Sequence, residues 1–263
     1  MMLVHSVNAA ASAMEVRPLF EHFRHSRRVF AIDLPGYGFS QRGERSYTPR
    51  LMTDALHAMG LEIRRRCGNE PIDALALSLA SEFVARAAVE DRSRWRSLAL
   101  ISPTGFSGGR ERRGPPGSTL GMPLMLAALR GPGWGGALFR GLTRPGVIRY
   151  FLQRTWGSKD IDEALWRYAV ITARQPGAEF APLHFVAGYL FSADIHVIYE
   201  QLKLPVWMCH GVRGDFTDYR AKSLVQTRPN WRFDVFQTGA LPHFEQPGAL
   251  FAAYEAAIHS VAG

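Results

Sequence analysis

The sequence predicts an α/β fold: a doubly wound, mostly parallel sheet that carries a helical insertion. Three observations predict it. Short, almost wholly apolar runs alternate with helix-patterned stretches along most of the chain, which is how βαβ units with strands buried on both faces are written. The run Ile72-Asp73-Ala74-Leu75-Ala76-Leu77 passes into a helical pattern from Ser81 to Glu90, leaving Ser78 on a sharp strand-to-helix corner. Between residues 105 and 197 the alternation stops and a helical, aromatic texture replaces it.

In chain order, residues 3–8 form a short strand and residues 9–23 are expected to be helical. Residues 28–33 form the next strand, and residues 34–40 are a loop bearing Pro35, Gly36 and Gly38. Thr48-Pro49 opens a helix over 48–66, with threonine as N-cap and proline at the first helical position. The corner strand and its helix follow, and then a strand over 97–102. Residues 105–121 are a connector rich in Gly, Pro and Arg, with basic residues from Arg110 to Arg113. Residues 122–191 hold Trp134, Trp156, Trp166 and many other aromatic side chains. The strand pattern resumes at 204–210, with a helix near 217–227, a strand at 232–236 and a last helix from Pro247 to about Val261. Three segments are therefore expected: residues 1–104 and 198–263 as one core, and 105–197 as a helical cap over its site.

At 263 residues and 47% hydrophobic, the chain has enough apolar content for one such domain with an insertion. No apolar stretch reaches the length of a membrane span, and the N-terminal residues lack the basic flank of a signal peptide, so a cytoplasmic location is the default expectation. Cys67 and Cys209 offer neither a disulfide framework nor metal-ligand spacing, and no metal or cofactor is expected. The net charge of +8 is carried mainly by scattered arginines. Without a basic tail or aromatic-basic interleaving it argues against a nucleic-acid partner, and leaves an anionic small substrate or weak attraction to anionic lipid open.

A serine between apolar residues is usually a strand end or an N-cap. Five blocks together give Ser78 more weight: residues 3–7, Asp33-Leu34-Pro35-Gly36-Tyr37-Gly38-Phe39-Ser40, Ala76-Leu77-Ser78-Leu79-Ala80, His210-Gly211-Val212-Arg213-Gly214-Asp215, and Gly239-Ala240-Leu241-Pro242-His243-Phe244-Glu245-Gln246-Pro247. In order and spacing they resemble the α/β-hydrolase fold superfamily along nearly the whole chain. The chain begins directly on the strand at Leu3, so the first antiparallel edge of that fold is expected to be missing.

The resemblance implies a role for each block. Ser78 would be the nucleophile on an elbow whose usual flanking glycines are Ala76 and Ala80 here. The N–H groups of Val7 and Leu79 would form an oxyanion hole, with Ser6 narrowing it from a slot that normally holds glycine. Asp215 stands where the acid belongs, with Asp218 as a competitor, and Asp33 would anchor the loop that follows it. Asn8 and His184 are candidate substrate contacts, while His5 and His210 read as structural rings at strand ends.

The base departs from the pattern. Glu245 and Pro247 keep the family's closing frame, but the histidine slot holds Ala240 and the nearest imidazole, His243, comes three residues late. Two readings follow. One is a serine esterase acting on a small to medium apolar carboxylic ester through Ser78, Asp215 and His243. The other is a catalytically impaired binding protein of the same fold. Lyase or carbon–carbon hydrolase chemistry has no support above background.

Overall fold

The computed structural model describes residues 1–109, 111–131 and 134–259; Arg110 and Val261, named above, lie outside them. Six strands, β1 (Met2–Val4), β2 (Phe30–Ile32), β3 (Ile72–Leu77), β4 (Trp95–Ile101), β5 (Val206–Gly211) and β6 (Trp231–Phe236), form one sheet in the order β2-β1-β3-β4-β5-β6. Every pairing is parallel. The chain moves outward from β1 to β2, then returns to the other side of β1 to make β3. That reversal opens a crevice at the carboxyl ends of β1 and β3, where ligands of open parallel sheets bind. Val4 pairs with Ala76, so Ser6 and Val7 leave the sheet beside Ser78.

Twelve helices flank the strands among the described residues: α1 (Arg17–Phe23), α2 (Pro49–Cys67), α3 (Ala80–Glu90), α4 (Pro123–Leu129), α5 (Gly135–Leu142), α6 (Pro145–Trp156), α7 (Glu163–Thr172), α8 (Phe180–Val186), α9 (Ile195–Gln201), α10 (Ser223–Gln226), α11 (Pro242–Glu245) and α12 (Pro247–His259). Successive strand residues point to opposite faces, and each face has its own core. Met2, Val4, Ala74, Ala76, Leu98 and Met208 pack against α2 and α3. Leu3, Leu75, Leu77, Ile101 and Trp207 pack against α1 and α12. Thr48 caps α2 as its sequence requires, its hydroxyl accepting the Leu51 N–H at 3.3 Å with Pro49 in the first turn.

Two of the expected helices begin later than the sequence pattern implies. Residues 9–12 are loop, because Asn8 Oδ1 takes the Ala10 N–H at 2.8 Å and Asp33 takes the Ala13 N–H at 2.7 Å. Only then come a 3-10 turn (Ala13–Val16) and α1. In the expected helix near 217–227 a 3-10 turn (Arg220–Lys222) precedes the short α10, since Asp218 holds the Arg220 N–H at 3.2 Å in a local turn.

The helices between β4 and β5 are tied to the core through α3. Glu82 is fully buried; its carboxylate accepts the Arg112 guanidinium at 2.6 and 2.7 Å, the Thr104 hydroxyl at 2.5 Å and the Ser192 N–H at 2.9 Å. One turn on, Arg86 donates to both oxygens of Asp194, at 2.5 and 3.2 Å, and Asp194 also takes the Gly117 N–H at 2.8 Å. These two pairs hold both ends of the insertion, near residues 104–117 and 192–194, on one helix. Removing one member of a buried pair strands the other charge, so Glu82→Ala should lower unfolding stability by about 3–5 kcal/mol in chemical denaturation.

Candidate active site

Ser78 occupies the corner between β3 and α3 with φ +50°, a left-handed conformation unusual for a residue with a side chain. Its N–H donates to Ile101 O at 2.9 Å, and its carbonyl accepts the N–H of Ser81 at 3.1 Å. The corner is fixed by backbone on both sides. Ala76 and Ala80, two before and two after, are fully buried, so the tight approach of strand and helix is made with methyl groups in place of glycine. Ser78 itself is only half-buried.

The two expected oxyanion donors are Leu79, next in the chain, and Val7, on the loop that leaves the neighbouring strand β1. Val7 and Leu79 are buried, and among the described residues neither N–H has a protein acceptor, the condition a donor to an incoming oxygen must meet. The loop carrying Val7 is braced from below. His5 Nε2 accepts the Leu34 N–H at 2.9 Å, and its Nδ1–H donates to Ser6 O at 2.5 Å. Asp33 takes the N–H groups of Ala13 and Phe39, as a loop anchor should.

Sequence reasoning passed over Glu15, which read as one polar residue in a helical stretch. Its side chain is buried, and its carboxylate accepts the Ser6 N–H and the Asn8 amide, both at 2.8 Å. No cation pairs with it among the described residues. A negative charge one residue from the Val7 N–H works against a developing oxyanion there. Asn8 is spent within this loop, donating also to Ser6 Oγ at 3.0 Å. His184, the other expected substrate contact, is buried; its Nδ1–H donates to Phe180 O at 2.8 Å and its ring packs edge-on against Tyr47 and Tyr189.

The acid and base loops are held by the end of α6. Asp215 is exposed and takes the Arg154 guanidinium in a two-pronged pair, both bonds 2.6 Å, from 61 residues away in sequence. The last carbonyls of a helix lack partners within it. Here Arg154 O accepts the Asp215 N–H at 3.3 Å, and Thr155 O accepts the Ala240 N–H at 2.9 Å. Contact is close enough that a Cβ on Gly239 would sit 2.3 Å from Trp156 O, and one on Gly214 would sit 2.5 Å from Arg154 O. Trp156 is buried over the same loop and its ring lies 5.4 Å from that of Phe244. On the far side, Ser102, itself at φ +48°, donates its hydroxyl to Ala240 O at 2.7 Å.

His243, the second residue of α11, is fully buried, with Nε2–H donating to Glu15 O at 2.8 Å and Nδ1 without a partner. A triad histidine uses the opposite arrangement, Nδ1–H on a carboxylate and Nε2 facing the serine. Among the described residues no hydrogen bond joins Ser78 to an imidazole, or Asp215 to one. Asp218 holds the Gly108 N–H at 2.9 Å and the Arg220 side chain, which keep its carboxyl well below the usual range. His210 stacks on Tyr219 at 3.9 Å and donates Nδ1–H to Gly211 O; burial lowers its pKa. Ser78 and Leu79 adjoin at the corner and Val7 is buried in the same apolar cluster as Leu79, whereas Asp215 and His243 are engaged elsewhere. Among the described residues no cluster of His, Cys, Asp and Glu is arranged to hold a metal ion.

A mostly parallel sheet with a serine on the strand-to-helix corner at its topological switch point is the arrangement of the α/β-hydrolase fold. The sequence model of the alpha/beta hydrolase fold family matches residues 1–138, and the chain belongs to that family. Three solved structures illustrate the likeness. A serine hydrolase involved in carbazole degradation superposes with a TM-score of 0.73 at 13% identity, over 98% of this chain and 90% of that one. The 2-hydroxy-6-oxo-6-phenylhexa-2,4-dienoate hydrolase from Rhodococcus sp. strain RHA1 gives 0.72 at 17%, over 98% and 89%. A thermophilic esterase from Thermogutta terrifontis gives 0.72 at 19%, over 99% and 89%. Curated proteins yield no match to the sequence. No helix among the described residues is long and apolar enough to cross a membrane.

Burial pulls the His243 pKa down from 6.5 to about 4. As pH falls between those values the unfolded chain takes the proton and the folded chain does not. This ring's contribution is therefore complete above pH 6.5 and lost on acidification. Unfolding free energy should fall by about 2–3 kcal/mol more in the wild type than in His243→Gln between pH 7 and pH 4, read by denaturant titration at each pH.

Proposed function

We propose that this chain is a catalytically impaired member of the family, which binds a small apolar or acyl ligand at the elbow without the turnover of an esterase. Residues 105–197 would act as the cap over residues 1–104 and 198–263. One observation carries the reading: the two loops that should deliver acid and base terminate α6 instead, through the bonds from the Asp215 and Ala240 N–H groups and the Arg154–Asp215 pair. A serine hydroxyl without a base is a weak nucleophile, since proton removal by a positioned group contributes roughly 10²–10⁴-fold. The Glu15 carboxylate beside the oxyanion loop acts in the same direction.

A second reading, a serine esterase using Ser78, Asp215 and His243 on a small to medium apolar carboxylic ester, is favoured by a separate observation. The strained Ser78 corner and the unengaged Val7 and Leu79 N–H groups are retained. It requires residues 239–244 to repack so that His243 leaves the Glu15 carbonyl and reaches the serine.

Fluorophosphonate labelling and p-nitrophenyl acetate turnover separate the two. The impaired reading predicts wild-type rates indistinguishable from Ser78→Ala. Ala240→His alone should gain less than about tenfold, because Asp215 stays on Arg154, whereas Ala240→His combined with Arg154→Gln should gain more, toward the range a base supplies. Ser78-dependent labelling of the wild type, with loss in His243→Gln, would overturn the proposal in favour of the esterase.

A further inference from the structure

A cavity of about 430 Å³ lies among α5, the start of α6 and the turn that joins α7 to α8, and Ser78, Asp215 and His243 are not among its lining residues. We propose that it binds a small organic anion with an apolar body, at a site separate from the elbow. Its volume is within the range of small-molecule sites. Phe139, Ala173 and Ala178, all buried, give it an apolar wall.

Charge decides the ligand class. Arg140, Arg144 and Arg174 line the same cavity; all are exposed, and among the described residues none of them pairs with a carboxylate. Arg50, Arg65, Arg113, Arg149 and Arg154, in contrast, each have an acidic partner at 2.5–2.7 Å. Three cations left unpaired around one concavity raise the local positive potential, and each guanidinium offers a planar fork that matches carboxylate or phosphate oxygens. Glu179 is the one acid on the lining, and no arginine of the lining pairs with it among the described residues.

The inner wall gives the site a connection to the rest of the fold. Ala173 and Ala178 also line a narrow slot along Ala9, Ala10 and Ala11, the segment that follows Val7, and Gly36 and Tyr37 of the loop after β2. An anion seated against Arg144 and Arg174 would direct its apolar body toward that wall. This proposal does not depend on whether Ser78 is a nucleophile.

Isothermal titration calorimetry with octanoate, octyl phosphate, octanol and octyltrimethylammonium, each below its micelle concentration, tests it. At least one of the two anions should bind ten or more times tighter than octanol and than the cation, with affinity falling as salt rises. The tighter of the two names the head group. Arg144→Gln combined with Arg174→Gln should weaken anion binding at least tenfold while the thermal unfolding midpoint is kept, and Arg65→Gln combined with Arg113→Gln, an equal loss of charge outside the lining, should bind as the wild type does. Equal binding of octanol, an unchanged affinity in the first double variant, or a loss in the second as large as in the first would overturn it.

Discussion

The C-terminal turn of α6 is the constraint on which the site depends. A helix ends with carbonyl oxygens that need donors from outside it. In this chain those donors come from the Asp215 and Ala240 backbones, on the two loops at the carboxyl edges of β5 and β6. Gly214 and Gly239 allow the backbones to touch, and the Arg154–Asp215 pair and the Trp156–Phe244 contact secure the arrangement on either side. A loop that terminates a helix is not free to present a carboxylate and an imidazole to the same serine. On the proposed reading, this packing is what withholds acid and base from Ser78.

The nucleophile side shows the reverse economy. The corner at Ser78 holds a left-handed backbone conformation that costs of order 1–3 kcal/mol for a residue with a side chain, and it persists because Ile101, Ser81 and the buried Ala76 and Ala80 leave no alternative. The sheet has kept the geometry of the elbow and the free N–H groups around it. Below, Glu15 ties the Ser6 loop to the His243 ring, its carboxylate on one and its carbonyl on the other. The first loop and the last therefore lock to each other through one residue.

How much of this was legible in the residues follows from the range of each interaction. The Thr48-Pro49 helix start, the corner strand and Ser78 are local patterns and appear where the sequence puts them, whereas the strands expected over 3–8 and 28–33 are shorter, Met2–Val4 and Phe30–Ile32. The class of the sheet followed from a resemblance that five separated blocks support, and Ala240 in the histidine slot was visible directly. The helix expected from residue 9 failed at its start because Asn8 and Asp33 captured backbone donors, one of them from across the loop. Arg154 could not be read at all: its pairing with Asp215 depends on where α6 ends in space, and no spacing along the chain encodes that. Glu15 likewise looks like a surface residue of an amphipathic stretch until the loop folds it inward.

Side-chain nitrogen NMR of His243 tests the central claim, that no proton relay reaches Ser78, most directly. The account predicts a neutral ring carrying its proton on Nε2 from pH 7 down to pH 5, unmoved when a fluorophosphonate is added. A ring protonated at Nδ1 against a carboxylate, with resonances that shift when the phosphonate bonds to Ser78, would contradict it.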